Sequence, residues 1–217
     1  MPAETATTSL ILVPGMGMQA ADLRANGLIE AVQRRGWPVT VTTLDPGPDS
    51  YLDGSVEDRL LDGIAAVRAT SGGGCVWMAG ISLGCQGILR CVRRQPGLID
   101  GALLLTPYLA TTGLIAEVVR AGGLRRWATG RSNPAKPEHA LLAWIAHATL
   151  PWMLVGRAED DRFAMTADLM AEVMPAGRTV TVAGDHDWMS WVHLWRLMLD
   201  RHPFDQTPFD RTLAAAR

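Results

Sequence analysis

Apolar positions along the chain follow two rhythms. Six short runs are almost wholly apolar or β-branched: Ser9–Val13, Pro38–Leu44, Cys75–Ile81, Gly101–Thr106, Trp152–Gly156 and Arg178–Ala183. Such runs predict strands, and their lack of polar alternation suits a sheet covered on both faces. Between them the apolar residues return every three or four positions, which predicts helices. These are Gln19–Arg35 (Leu23, Leu28, Ile29 and Val32 inward), Ser55–Ala69, Cys85–Arg94, Thr166–Met174 and Trp188–Asp200. Strand and helix alternate throughout. The fold class is therefore α/β, a mostly parallel, doubly wound sheet of about six strands with right-handed crossovers.

Turn residues punctuate this pattern. Gly36 closes the first helix, Asp45–Ser50 is a loop, and Ser71–Gly74 turns into the third strand. Ser55 is expected to cap the helix that follows it, with Glu57 and Asp58 in its first turn. From Pro107 to about Thr149 no strand is evident. Helical segments near Leu114–Trp127 and Glu138–Ala148 flank a polar loop at Thr129–Pro137. This stretch reads either as a helical cap inserted over a site or as a crossover plus a surface helix. Trp188, Trp191 and Trp195 share one helix face with Leu194 and Met198, which predicts core packing. The tail, Pro203–Arg217, has little apolar content and is expected to be loosely docked.

Composition narrows the picture. At 217 residues and 48% hydrophobic, the chain can bury a full core, and no linker divides it, so one domain is expected. A formal net charge of −2 offers no footprint for nucleic acid or an anionic membrane surface. No apolar run approaches a membrane span. Residues Met1–Ser9 lack a basic and an apolar region, and the three cysteines fall in buried segments. Small buried thiols in a reducing compartment, the cytoplasm, are the expectation. No spacing of Cys or His suggests a metal site.

Reactive residue types gather where strands end, the edge at which doubly wound sheets bind ligands. The third strand runs into Gly80-Ile81-Ser82-Leu83-Gly84 and then directly into a helix. Strand, tight turn and helix are the context of a nucleophile elbow. Ser82 needs a base, and of five histidines only His186 lies in a loop directly after a strand. His139, His147 and His193 lie in helical pattern, and His202 precedes Pro203. The acid that orients the base is expected after the fifth strand, among Glu159, Asp160 and Asp161. Asp185 and Asp187 are too close in sequence to His186, and Asp187 is the expected cap of the last helix. Backbone N–H groups for an oxyanion are expected from Leu83 and, in Pro14-Gly15-Met16-Gly17, from Met16. Trp188 and Met189, with Met16, Met18 and Met165, are candidates for shaping an acyl pocket.

These stretches resemble the α/β-hydrolase superfamily from Ser9 to Arg201. Gly80–Gly84 matches its elbow, Pro14–Gly17 takes the place of its oxyanion loop with Pro14 for the usual histidine, Gly156–Phe163 resembles its acid loop, and Gly184–Trp188 its histidine loop. Asp161-Arg162-Phe163 fits the family's acid followed by one residue and an apolar one, so Asp161 is preferred, with Asp160 as the alternative. The family's first two strands are missing. The resemblance implies a serine hydrolase of esters or thioesters, with Ser82, His186 and Asp161 as its triad and neither cofactor nor metal. An ester or thioester of an apolar acyl group is the expected partner. Acyl transfer would use the same residues.

A different class competes. Gly15-Met16-Gly17-Met18-Gln19-Ala20 satisfies a dinucleotide-binding pattern, with Asp45 ending the next strand. Asp45 lies beyond the usual spacing of about 20 residues. That reading also leaves Ser82 and His186 without a role.

Overall fold

A computed structural model describes residues 8–205. Residues 1–7 and 206–217, which hold most of the polar N-terminus and of the tail discussed above, lie outside the described residues.

Six strands form one sheet: β1 (Thr8–Val13), β2 (Val39–Thr43), β3 (Val76–Ile81), β4 (Gly101–Leu105), β5 (Trp152–Ala158) and β6 (Thr179–Val182). Their order is β2-β1-β3-β4-β5-β6, and every pairing is parallel. The chain winds outward from β1 to β2, then returns past β1 to β3, so the winding reverses between β1 and β3. Val13 pairs with Gly80, Ile81 with Leu105 and Leu105 with Gly156. The carboxyl ends of the four central strands are therefore level beside the reversal point, where such sheets form a crevice.

The apolar strands split cleanly by parity, because successive side chains point to opposite faces. Ile11, Val13, Met78, Leu104 and Val155 face one core, while Leu10, Leu12, Trp77, Leu103 and Leu154 face the other. The second core is closed by α1 (Ala20–Ala25), α2 (Leu28–Gln33) and, near the C-terminus, the helix Trp188–Leu199. The first is closed by α4 (Val56–Thr70), which follows the short α3 (Asp49–Asp53), then by α5 (Leu83–Arg94), α6 (Thr112–Arg120), α7 (Leu124–Gly130), α8 (Pro137–Ile145) and α9 (Ala164–Ala171). The helix Trp188–Leu199 is α10. Residues 107–149 thus contribute Leu114, Val118, Trp127, Leu142 and Ile145 to the same core as α4 and α5.

Several elements differ from the sequence reading. The predicted helix Gln19–Arg35 is two helices, broken at Gly27 with φ of 76°. Leu114–Trp127 is likewise divided between α6 and α7 at Gly122 and Gly123 (φ of 87° and 100°). Left-handed backbone is open to glycine and halts helical hydrogen bonding. Ser55 makes no capping bond with its side chain. Asp53 instead accepts the Ser55 N–H at 2.8 Å. Asp49–Asp53, inside and beyond the predicted loop, is helical. At the start of the tail, Pro203 is buried and Phe204 packs edge-on against Trp37 and Trp77, so this part is docked.

None of the three cysteines forms a disulfide. Burial pushes the Cys91 thiol up from 9.0 to about 12 and raises Cys85 as well. The folded chain then holds the neutral thiol over a range in which an unfolded chain ionises. This contribution is complete below pH 9 and is lost as pH rises toward about 12. The urea midpoint is expected to fall steadily over that range, and a flat midpoint would contradict the assignment.

Candidate active site

Ser82 stands between β3 and α5 with φ of 51° and ψ of −115°. A non-glycine residue there is strained, and such strain gathers at functional sites. The turn closes because its neighbours lack side chains. A Cβ on Gly80 would meet the Cys85 nitrogen at 2.8 Å. One on Gly84 would meet the Val13 carbonyl oxygen at 2.5 Å, and one on Gly15 the Ile81 carbonyl oxygen at 3.0 Å. The Pro14–Gly17 loop is therefore pressed against the elbow, and the close approach that Gly15 permits is to β3. The Ser82 N–H donates to the Leu105 carbonyl at 3.0 Å, and the Ser82 carbonyl accepts from the Tyr108 N–H at 3.1 Å.

His186 reaches Ser82 from the loop after β6. Its Nε2 lies 2.9 Å from the Ser82 Oγ, and its Nδ1 lies 2.7 Å from the Asp161 Oδ2. The His186 side chain is 15% exposed and that of Asp161 1%, so the pair is nearly dry while the imidazole keeps an open edge. Phe163 and Trp191 meet the imidazole nearly perpendicularly, at 4.9 Å and 5.1 Å between ring centres. The flanking acids have separate partners. Asp185 accepts the His186 backbone N–H at 2.7 Å, and Asp187 caps α10 by accepting the Ser190 N–H at 2.9 Å.

Of the candidate acids, Asp161 alone is buried; Glu159 and Asp160 are exposed. The loop explains the selection. The Asp160 N–H donates to the Gly184 carbonyl at 2.9 Å, which ties the acid loop to the histidine loop. The next side chain, Asp161, then turns inward, its Oδ1 accepting the Phe163 N–H at 2.7 Å.

A cleft of about 360 Å³ opens over Ser82, and Met16, Leu83, Leu52, Tyr108, Arg162 and Phe163 are among its lining. Leu83 opens α5, so its N–H has no helical carbonyl to bond. The remaining pocket candidates are elsewhere. Trp188 and Met189 line a separate cleft with Asn26 and His193, and Met18 packs on the core beside α1. Met165 is not among the residues lining the Ser82 cleft. Among the other histidines, His139 packs on Trp127, His202 lies beside Trp37, and His147 and His193 are exposed. No cluster of three or more His, Cys, Asp or Glu residues that could hold a metal occurs among the described residues.

Sequence reasoning missed a second group. The Tyr108 hydroxyl donates to Glu138 Oε1 at 3.1 Å, and Glu138 Oε2 accepts the Thr111 N–H at 3.2 Å. Burial, then the Glu138 charge, push the Tyr108 phenol up to about 12, so it remains a neutral donor in the cleft wall. Thr106, the first residue past β4, has φ of 40° and is 2% exposed. The available signal was Thr106-Pro107-Tyr108 at the end of a central strand, which carries no motif.

The all-parallel sheet, with the elbow on its third strand and helices on both faces, is the α/β-hydrolase fold. No family model and no curated protein sequence matches the chain. Among solved structures it is similar to S-formylglutathione hydrolase FrmB of Staphylococcus aureus, with a TM-score of 0.65 and 16% identity over 92% of this chain and 83% of that one. It is also similar to Est1E of Butyrivibrio proteoclasticus, with a TM-score of 0.61 and 16% identity over 90% and 88% of the two chains. FphF, a fluorophosphonate-binding serine hydrolase of Staphylococcus aureus, aligns with a TM-score of 0.61 and 14% identity over 94% and 86%. Among the described residues no helix is long and apolar enough to cross a membrane.

Proposed function

We propose that this chain is a serine hydrolase that cleaves carboxylic esters or thioesters through an acyl-enzyme. The observation that carries this reading is the continuous chain from Ser82 Oγ to His186 Nε2 (2.9 Å) and from His186 Nδ1 to Asp161 Oδ2 (2.7 Å). A serine hydroxyl is a weak nucleophile, and a hydrogen-bonded imidazole makes it a useful one by taking its proton during attack. Asp161 keeps the other proton on Nδ1 and stabilises the imidazolium. The tetrahedral oxyanion is held by the N–H groups of Leu83 and Met16, both beside Ser82 in the cleft. The imidazolium then protonates the leaving alcohol or thiol, and water, deprotonated by His186, releases the acid. An acyl acceptor other than water would use the same groups.

The apolar lining from Met16, Leu52 and Phe163 suits an apolar acyl group. The hydrolase and serine hydrolase descriptions of FrmB and FphF agree with this chemistry. The same reading takes the chain as one hydrolase domain in which residues 107–149 supply one wall of the cleft through Glu138. The same reading takes the cytoplasm as the compartment, where buried thiols such as Cys85 and Cys91 would stay reduced.

A fluorophosphonate probe tests the proposal without knowledge of the substrate. The wild type is expected to label, and Ser82→Ala and His186→Ala to lose the label. A folded wild type that does not label would sink it.

A further inference from the structure

We infer that Thr106 is a positioning residue for His186, with its hydroxyl fixed by Trp191 as a second acceptor for the Nδ1 proton. The inference rests on the serine hydrolase reading above, since it concerns which tautomer of His186 faces Ser82.

The first observation is backbone strain. Among the described residues three that are not glycine have a positive φ: Ser82 (51°), Thr106 (40°) and His202 (48°). Ser82 and Thr106 each stand immediately past the end of a strand, and those strands, β3 and β4, are neighbours. A β-branched residue is among the least suited to that region of backbone space. Turn geometry alone would favour glycine or asparagine at position 106, so the threonine side chain is the part that needs explaining.

The second observation is where that side chain goes. Thr106 Oγ1 lies 3.2 Å from His186 Nδ1, while Ser82 Oγ lies 2.9 Å from Nε2. The imidazole is therefore spanned by two hydroxyls, each on a strained residue. Thr106 is held from behind as well, its N–H donating to the Gly156 carbonyl at 3.1 Å.

The third is what fixes the hydroxyl. The Trp191 indole N–H donates to Thr106 Oγ1 at 2.8 Å in a buried contact. An indole N–H can only donate, so one lone pair of the oxygen is always taken. Asp161, at 2.7 Å, keeps a proton on Nδ1. The free lone pair of Thr106 then faces that proton, and Nδ1–H is shared between a strong carboxylate acceptor and a weaker hydroxyl one. The other tautomer, with its proton on Nε2, could not accept from Ser82, and a ring turned out of plane would lose both acceptors together. The Trp191 ring reinforces this by standing perpendicular to the imidazole at 88°. Charged groups around His186 do not duplicate the contact: Asp161 is the carboxylate on the ring, whereas Asp185 and Asp187 bond backbone N–H groups.

Three variants separate positioning from packing. Thr106→Val keeps the shape and replaces the hydroxyl by a methyl group, so both the His186 and the Trp191 contacts to oxygen are lost. Thr106→Ser keeps the oxygen with less backbone strain. Trp191→Phe keeps a ring and removes the indole donor. Thr106→Val is expected to lower kcat for an activated ester about 10- to 100-fold, the range seen when the outer hydrogen-bond partner of a metal-bound histidine is removed, with KM essentially unchanged. Thr106→Ser should recover most of that loss, and Trp191→Phe should fall between. Imidazole NMR of nitrogen-15-labelled protein gives a readout independent of turnover. The Nδ1-bound proton of His186 should shift in Thr106→Val and return to its wild-type position in Thr106→Ser. A Thr106→Val protein with wild-type kcat and an unmoved Nδ1–H resonance overturns the inference, as does a Thr106→Ser protein as impaired as Thr106→Val. Failure of the hydrolase reading is distinct: the wild type would not label with the fluorophosphonate, while the resonance would still report whether Thr106 touches the ring.

Discussion

Asp161→Asn is expected to lower ester turnover by about 10⁴-fold, and Asp160→Asn to leave it within about twofold. The two residues are neighbours with opposite surroundings. Asp161 is buried, with one carboxylate oxygen on His186 and the other on the Phe163 N–H, while Asp160 is exposed. An asparagine at 161 can present its amide N–H₂ to Nδ1, which favours the proton on Nε2 and leaves Ser82 without an acceptor. Shape is conserved, so the protein should remain folded. Steady-state rates on an activated ester for both variants decide the matter. A large loss in Asp160→Asn with a small one in Asp161→Asn would transfer the acid to Asp160.

Gly84→Ala is expected to destabilise the fold by about 3 kcal/mol and to abolish probe labelling of the fraction that still folds. The new Cβ would lie 2.5 Å from the Val13 carbonyl oxygen and 2.7 Å from that of Pro14. Both are backbone atoms, one at the end of β1 and one in the adjoining loop, so neither can rotate away as a side chain would. Relief requires α5 to lift off β1, which also moves Leu83 and Ser82. Gly113→Ala is the matched control. It too lies in a helix, its Cβ would meet open space, and its expected effect is a gain of up to about 1 kcal/mol. Urea unfolding of both variants measures the contrast, and similar midpoints would contradict the role given to the elbow contact.

The strands were legible because each is a short, dense run of apolar or β-branched residues, and that run length survives in the parallel sheet. Helix breaks were not. Gly27 and the Gly122-Gly123 pair sit within amphipathic spacing that continues on both sides, and spacing does not record a change of axis. The short α3 carries Pro48 and Asp49 at its start, which read equally well as turn chemistry. Order and position just past strands singled out Ser82, Asp161 and His186, and in the fold the His186 ring lies within hydrogen-bonding distance of both Ser82 and Asp161. The contacts of Thr106, Tyr108, Glu138 and Trp191 were not legible, because each is made with a partner on another element. Glu138 reads as an ordinary acidic residue in the first turn of a helix until Tyr108 and the Thr111 N–H are brought against it. The tryptophan face was legible as core, but Trp191 also uses its N–H, which no periodicity reveals.

Ser82 and His186 touch across 104 residues of chain, and β6, which delivers His186, is among the described residues an edge strand paired only with β5. The elbow needs β1, β3 and β4, all of which leave the ribosome well before β6. Every residue of the serine's turn is thus synthesised before the loop that carries His186. On the hydrolase reading proposed above, a chain shortened before β6 therefore lacks the base that Ser82 needs.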